Sequence, residues 1–137
     1  MIVHGITATR KIAQQLAQKS KGRIFALVGD LGAGKTTFVQ AFLKALGVKG
    51  RVMSPTFVIM RSYKLKDGRK AYHLDGYRIK KDKEFVDLGF KELIKDPKNI
   101  ILIEWADRVK KLLPPETIWL EFKHGKNSRE RVIKIKK

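Results

Sequence analysis

The sequence predicts an α/β fold, with residues 1–137 forming a single domain around one hydrophobic core. Two short runs, 24–28 and 100–103, are wholly apolar and flanked by polar or turn-forming residues, which is typical of strands buried on both faces of a sheet. Segments with helical periodicity lie between these runs, and strands that alternate with helices are typical of α/β proteins. A length of 137 residues suffices for one such domain and leaves little for a second.

The first half of the chain is expected to fold as helix, strand and helix. Thr7 or Thr9 is a suitable N-cap for the first helix, which we expect to end at Lys21-Gly22. Its apolar positions recur at helical spacing: Ile12, Ala13, Leu16 and Ala17. After the strand, a glycine-rich stretch leads into a second helix that Gly47 ends. The apolar face of that helix comprises Phe38, Val39, Phe42, Leu43 and Leu46.

The second half is expected to add strands and shorter helices. Strands at 57–65 and 70–75 are predicted to form a hairpin through a two-residue Asp67-Gly68 turn. Helical character over 82–95 is interrupted at Gly89, and the strand 100–104 follows. The remaining elements are a short helix over 106–113 that Pro114-Pro115 stops, a strand containing Ile118, Leu120 and Phe122, and a last strand containing Ile133 and Ile135.

The composition excludes several functional classes, and its charge is compatible with anionic partners without naming one. No cysteine occurs, which excludes disulfides, thiolate metal sites and a cysteine nucleophile. No apolar run approaches the ~20 residues of a membrane span and no secretion signal is present, so a cytoplasmic protein without membrane contact is expected. Lys and Arg number 31 against 13 acidic residues, and the net charge of +18 attracts nucleic acid, acidic proteins or nucleotides. A solvated Lys-rich surface, as in heat-adapted proteins, explains the charge equally well.

A glycine-rich motif at 29–36 predicts a phosphate-binding loop. The residues GDLGAGKT satisfy the pattern G-x-x-x-x-G-K-[ST], between a predicted buried strand and a predicted amphipathic helix. Glycines let backbone N–H groups approach phosphate oxygens, and the following helix aims its N-terminal dipole at the same anion. Lys35 is expected to contact the β- and γ-phosphates, and the Thr36 hydroxyl to bind Mg²⁺. No N-K-x-D element for guanine occurs, so ATP is favoured.

Glu104 is the candidate acidic partner of the metal ion. A P-loop enzyme needs an acidic residue at the end of a nearby buried strand to hold Mg²⁺ directly or through water. Glu104 directly follows the apolar run 100–103, and no other acidic residue follows so apolar a run. A carboxylate here also suits the first turn of the next helix, so helix capping is the alternative interpretation.

Four motifs follow one another in order along the chain: GDLGAGKTT at 29–37, SPTF at 54–57, HLDGYR at 73–78 and LIEWADR at 102–108. Together they resemble the TsaE family, and the resemblance extends over residues 5–135. It implies a P-loop NTPase domain whose mixed sheet of parallel and antiparallel strands is flanked by helices. It also implies a slow ATPase, using ATP and Mg²⁺, that is required for threonylcarbamoyladenosine modification of tRNA in bacteria. The implied partners are TsaB and TsaD, of which TsaD transfers the threonylcarbamoyl group, and tRNA through the complex.

The resemblance also implies roles for individual residues. Thr36 and Glu104 would hold Mg²⁺. Catalysis would depend on Lys35, Thr56, Asp75 and Glu104. The residues that would surround the nucleotide are Asp30, Leu31, Gly32, Ala33, Gly34, Lys35, Thr36, Thr37, Trp105 and Arg129.

Several of these residues have alternative explanations. Thr56 resembles a switch threonine that senses the γ-phosphate, but a Ser-Pro-Thr turn also caps a following strand. Asp75 would orient the attacking water or bind a partner that gates hydrolysis, although Asp-Gly is a turn pair in its own right. Strand alternation places His73 on the same face as Asp75, where a single histidine is more often structural. Trp105 is equally well explained as a partly buried aromatic residue.

Two other functions use the same loop. A small-molecule or nucleoside kinase would carry a lid with several arginines, but the matching stretch 77–96 has Arg78 as its only arginine. A nucleic-acid-binding module with the loop as a switch is suggested by the net charge, and it predicts RNA affinity that falls steeply with added salt. No arginine stands out as a built-in finger, which fits slow hydrolysis until a partner completes the site.

Overall fold

The computed structural model describes residues 2–19, 23–29, 34–50, 52, 60–126 and 130–136. The strands are β1 (Ile2–His4), β2 (Ile24–Gly29), β3 (Met60–Lys64), β4 (Lys70–Asp75), β5 (Ile100–Glu104), β6 (Ile118–His124) and β7 (Glu130–Lys136). The helices are α1 (Gly5–Lys19), α2 (Lys35–Ala45), α3 (Asp82–Asp87), α4 (Phe90–Lys95) and a 3-10 helix (Ala106–Leu112). Within the described ranges, no helix is long and apolar enough to span a membrane. The predicted α/β fold is confirmed.

All of these strands belong to one sheet, in the order β1-β7-β6-β2-β5-β4-β3. Its central strands β6, β2, β5 and β4 are parallel to one another. At one edge β3 pairs antiparallel with β4, and at the other β7 pairs antiparallel with β6 and with β1. The mixed sheet implied by the family resemblance is therefore confirmed.

Each face of the sheet carries its own hydrophobic core, because the side chains of a strand alternate between faces. Phe25 of β2 packs on the face covered by α1 and α2, with its ring centroid 4.9 Å from that of Phe42. The preceding residue, Ile24, packs on the opposite face with Phe85 of α3 and Phe90 of α4. Burying each of these side chains contributes about 1.5–3 kcal/mol. Burial on both faces explains why the run at β2 is wholly apolar.

The first helix begins earlier than the sequence predicted. α1 starts at Gly5, so Thr7 and Thr9 both lie inside the helix and neither is its N-cap. Thr9 is buried, and its hydroxyl donates to the Gly5 carbonyl oxygen one turn back, at 3.5 Å. A threonine hydroxyl that bonds to its own helix is satisfied without capping. The last described residue of α1 is Lys19, and the predicted end at 21–22 lies outside the described residues.

The β3–β4 hairpin forms as predicted, but its turn is one residue longer. The Leu65 amide donates to the Arg69 carbonyl oxygen at 2.8 Å, which leaves a three-residue loop over 66–68. Gly68 has φ +89°, the left-handed conformation that such a loop requires at its last position. The Asp-Gly signal thus located the turn correctly and missed its length.

The helical region after β4 divides where the sequence predicted. Gly89 has φ 86° and separates α3 from α4. Farther along, 106–112 is helical as predicted but forms a 3-10 helix, and it ends before Pro114. The predicted beginning of the β3 strand at 57 lies outside the described residues.

β2 ends at a glycine for a steric reason. A Cβ on Gly29 would lie 1.9 Å from the carbonyl oxygen of Phe122 on β6, and the residue has φ +133°. Because a Cβ does not fit at this position, glycine is needed for β2 to end this close to β6. The next described helix, α2, begins at Lys35.

Candidate functional site

The carboxyl ends of three parallel strands lie together at one edge of the molecule. β2 ends at Gly29, β4 at Asp75 and β5 at Glu104, and Asp75 and Glu104 are register partners in the sheet. Open α/β sheets bind ligands at this edge, outside the carboxyl ends of the strands. Asp75 is 6% exposed and Glu104 is 5% exposed, so both carboxyl groups are buried there.

α2 begins beside these strand ends without a side-chain cap. Gly34 occupies the N-cap position in the left-handed conformation, with φ 103° and ψ 10°, and no side chain caps the helix. The first N–H groups of a helix have no partner within the helix, and the helix dipole adds positive potential, so this end favours an anion. Residues 30–33, which join Gly29 to Gly34, lie outside the described residues.

The side chain of Lys35 folds back toward the end of β2. Its Nζ donates a hydrogen bond to the Gly29 carbonyl oxygen at 2.7 Å and lies 4.0 Å from the centroid of the Trp105 ring. The residue is only 5% exposed. A buried ammonium group needs polar partners, and the face of an aromatic ring attracts a cation. Lys35 therefore holds a positive charge next to the N-terminus of α2.

Thr36, Glu104 and His73 form a hydrogen-bonded series that we call the Thr36–Glu104–His73 chain. The Thr36 hydroxyl donates to Glu104 Oε1 at 3.2 Å, and Glu104 Oε2 lies 2.6 Å from His73 Nε2. The side chain of His73 is 1% exposed and that of Glu104 is 6% exposed. Both carboxylate oxygens of Glu104 thus have a polar neighbour. The Nδ1 atom of His73 is buried and has no hydrogen-bond partner in the described part of the chain.

The oxygen atoms of Thr36 and Glu104 are suitable ligands for Mg²⁺. Hydroxyl and carboxylate oxygens suit this hard cation, which in nucleotide sites takes only one or two protein ligands and completes its shell with phosphates and water. The described residues hold no group of three or more His, Asp or Glu placed to bind a metal ion by themselves. Thr36 and Glu104 therefore suit a metal ion that arrives with a phosphorylated ligand.

Asp75 serves the turn that follows β4. Its Oδ1 accepts a hydrogen bond from the Tyr77 amide at 2.8 Å, as expected of an Asp-Gly turn. The predicted alternation along β4 holds, since His73 reaches Glu104 whereas Leu74 packs in the core of the opposite face. Asp75 lies beside Glu104 through the strand register, and its catalytic role stays a prediction.

Trp105 and Tyr77 form an aromatic rim beside Lys35. Their ring centroids are 5.0 Å apart, and the Arg108 guanidinium carbon lies 5.6 Å and 5.7 Å from the two rings. Trp105 has φ 55° and is the one non-glycine residue with positive φ in the described ranges. A Cβ on Gly76 would lie 2.8 Å from the Trp105 carbonyl oxygen, so a glycine allows the two strand ends to approach closely.

Comparison with known proteins identifies the family. The sequence model described as "Threonylcarbamoyl adenosine biosynthesis protein TsaE" matches residues 3–133. The chain belongs to the TsaE family.

Relatives named "tRNA threonylcarbamoyladenosine biosynthesis protein TsaE" match most of the chain. The Rickettsia felis protein is 41% identical over 120 residues, which cover 86% of this chain and 68% of the relative. The Rickettsia conorii protein is 43% identical over 112 residues, 80% of this chain and 62% of the relative. The Bacillus subtilis protein is 40% identical over 125 residues, 89% of this chain and 76% of the relative. The crystal structure of Bacillus subtilis YdiB is similar with a TM-score of 0.78 and 32% identity, covering 97% of this chain and 80% of that one.

The structure brings together part of the site predicted for this TsaE family member. Gly34, Lys35 and Thr36 lie at the start of α2, with Glu104 and Trp105 next to them, and Thr37 follows in the first turn. The predicted residues that lie outside the described ranges are Asp30, Leu31, Gly32, Ala33, Thr56 and Arg129. Their roles stay predictions.

The contact of His73 with Glu104 was not anticipated from the sequence. A single histidine carries no spacing signal, and its direct register partner on β5 is Leu102. The signal that was available is indirect. Alternation places His73 and Asp75 on one face of β4, and parallel pairing with β5 then puts Glu104 within reach of both.

Proposed function

We propose that this chain is a Mg²⁺-dependent ATPase of tRNA threonylcarbamoyladenosine biosynthesis, which binds ATP at the end of β2 and hydrolyses it slowly. Membership of the TsaE family supports the pathway, since the relatives are named for it. We further propose that it works in the cytoplasm with TsaB- and TsaD-type proteins, and meets tRNA through that complex. It does not itself transfer the threonylcarbamoyl group.

The observation that carries the proposal is the placement of Lys35 and Thr36 in the first turn of α2, opposite Glu104. Lys35 supplies a positive charge, and the N-terminus of α2 supplies N–H groups that have no acceptor within the helix. Charge and N–H donors together recognise the oxygens of a polyphosphate. Burying the Lys35 ammonium group costs free energy, and an anionic ligand bound at this position would offset that cost.

Thr36 and Glu104 would hold the Mg²⁺ ion. Their oxygen atoms lie within 3.2 Å of each other, and both side chains are oriented toward the same point between α2 and β5. When bound, Mg²⁺ would neutralise negative charge on the phosphate oxygens. The helix-cap interpretation of Glu104 is less favoured, because its carboxylate contacts Thr36 and His73 on other elements.

Slow hydrolysis by the isolated protein fits the side chains around Lys35. P-loop NTPases hydrolyse quickly when an arginine stabilises charge on the transferred phosphoryl group. Arg108 lies beside the aromatic rim, with its guanidinium carbon 5.7 Å from the centroid of the Tyr77 ring and 5.6 Å from that of the Trp105 ring. We propose that Asp75 orients the attacking water or contacts the partner that completes the site. Faster turnover would then require that partner.

The competing kinase function finds less support. A kinase lid would come from the stretch 77–96 and would have to cover the phosphate loop. Instead, Phe85 of α3 and Phe90 of α4 pack in the core on the face opposite α1 and α2. Side chains anchored in that core do not leave it readily, so hydrolysis is favoured over transfer to a small acceptor.

The proposal is tested by measuring ATP affinity and ATPase rate, with and without a TsaB–TsaD pair. Lys35→Ala should weaken ATP binding about 10- to 100-fold, as expected for losing a charge-assisted hydrogen bond worth about 1.5–3 kcal/mol. Glu104→Gln should lower the ATPase rate and its Mg²⁺ dependence. Lys91→Ala removes an exposed lysine from α4 and serves as the matched control, which should bind ATP like the wild type.

Two results would contradict the proposal in different ways. Normal ATP binding by Lys35→Ala would show that the site is wrongly assigned. A rate that the TsaB–TsaD pair leaves unchanged, together with phosphorylation of an added nucleoside, would favour the kinase.

A further inference from the structure

His73 is a buried polar side chain of the site to which the proposed function gives no task. It lies within β4, and its side chain is 1% exposed. Its register partner on β5 is Leu102, and Glu104 follows two residues later on the same face. The imidazole therefore reaches diagonally across the two strands to place Nε2 2.6 Å from Glu104 Oε2.

The surroundings of the ring indicate where its proton lies. An ionised carboxylate only accepts hydrogen bonds, so Nε2 must donate to Glu104 Oε2. Nδ1 is buried without a hydrogen-bond partner among the described residues. The 2.6 Å contact therefore places a proton on Nε2, directed at Glu104.

We infer that His73 is a positioning residue, whose Nε2–H holds Glu104 with Oε1 facing Thr36 and thereby sets the Mg²⁺ affinity of the site. With Oε2 fixed by His73, Oε1 lies 3.2 Å from the Thr36 hydroxyl, and the carboxylate cannot turn without breaking one of the two contacts. Groups that orient a metal ligand from behind commonly change metal affinity 10- to 100-fold when they are replaced. This inference rests on the proposed function.

Two amide substitutions separate positioning from simple packing. In His73→Gln the amide nitrogen is three bonds from Cβ, as Nε2 is in histidine, so it can still donate to Glu104. In His73→Asn the amide nitrogen is two bonds from Cβ, as Nδ1 is, so it falls short. Both variants lose the packing of the ring, and their melting temperatures without nucleotide should fall by similar amounts.

The measurement is the affinity for a fluorescent ATP analogue, titrated against free Mg²⁺. We expect His73→Asn to raise the Mg²⁺ concentration for half-maximal effect by about 10- to 100-fold. His73→Gln should remain near the wild-type value, and nucleotide affinity without Mg²⁺ should be unchanged in both. Equal Mg²⁺ requirements in the two variants would overturn the inference and leave the proposed function intact. A wild-type protein whose ATP affinity ignores Mg²⁺ would contradict both.

A second readout needs neither nucleotide nor a folded variant of His73. Nitrogen-15 NMR of the wild-type protein should show His73 with a proton on Nε2. A proton found on Nδ1 alone would overturn the inference, because the ring could then not donate to Glu104.

Discussion

At the scale of single residues, Trp105 is the most constrained position near the site. Its left-handed backbone costs a residue with a Cβ about 1–2 kcal/mol. The conformation is held on both sides, since Glu104 ends a buried strand and the Gly76 amide donates to the Glu104 carbonyl oxygen at 2.8 Å. The indole ring is thereby placed 4.0 Å from the amine of Lys35. Backbone strain of this kind is concentrated at functional sites, and here it orients the ring that contacts the phosphate-loop lysine.

Removing that ring should weaken ATP binding. Trp105→Leu loses a cation–π contact with Lys35 that is worth about 0.5–2 kcal/mol. Because this contact orients the Lys35 amine, we expect ATP affinity to fall by the corresponding factor of about 2 to 30. Trp105→Phe retains an aromatic face and should lose less. Trp119→Leu is the matched control, because this partly buried ring packs against the core of the opposite face. Calorimetric titration with Mg-ATP measures all three, and wild-type affinity in Trp105→Leu would contradict the expectation.

At the scale of elements, Gly89 decides how the segment after β4 covers the sheet. Phe85 and Phe90 both pack in one core, with ring centroids 5.3 Å apart. In a continuous α-helix, residues five positions apart point in directions that differ by about 140°. The break at Gly89, with φ 86°, allows both rings to face the same core.

Alanine at this position should destabilise the fold through its backbone. The nearest atom to a Cβ on Gly89 would be Glu92 Oε2 at 3.7 Å, so the space is available and only the left-handed conformation is unfavourable. We expect Gly89→Ala to lower the free energy of unfolding by about 1–2 kcal/mol, and Gly89→Asn to lower it less, because asparagine tolerates this conformation. Urea denaturation measures both. ATP affinity should not change. An unchanged free energy of unfolding in Gly89→Ala would show that the break between α3 and α4 does not need positive φ.

The same elements show how far the sequence could predict the molecule. β2 and β5 were predictable because burial on both faces leaves a wholly apolar run. β1 was missed because three residues carry no periodicity, and its pairing with β7 is a tertiary contact. In the site, the motif identified Lys35 and Thr36, and the strand end identified Glu104. The contact of His73 with Glu104 depends on the register between β4 and β5, which no local pattern encodes.

At the scale of the whole molecule, the net charge of +18 includes a cluster of lysines at one edge of the sheet. A groove of about 860 Å³ lies beside β3 at the edge of the sheet. Its charged lining residues are lysines, all exposed: Lys44, Lys49, Lys64 and Lys66. None of these lysines forms an ion pair with another described residue. Charges more than about 8 Å apart are largely screened at physiological ionic strength, so this cluster should attract a phosphate backbone more than scattered lysines do.

Charge reversal in the groove tests whether the net charge acts locally. We expect Lys64→Glu/Lys66→Glu to bind single-stranded RNA more weakly than Lys83→Glu/Lys91→Glu, a control on α3 and α4 that changes the net charge equally. The slope of log affinity against log salt should become shallower by about 0.7 for each phosphate that the protein no longer neutralises. Fluorescence anisotropy with an unstructured oligonucleotide measures both, and unchanged Mg-ATP affinity shows that the variants are folded. An equal loss of affinity in the two pairs would show that the charge acts as a diffuse field. A cluster that binds phosphates gains most of its affinity from released counterions, and this gain is largest at low salt. Wild-type protein that binds no RNA at low salt would therefore support a solvated surface without a nucleic-acid partner.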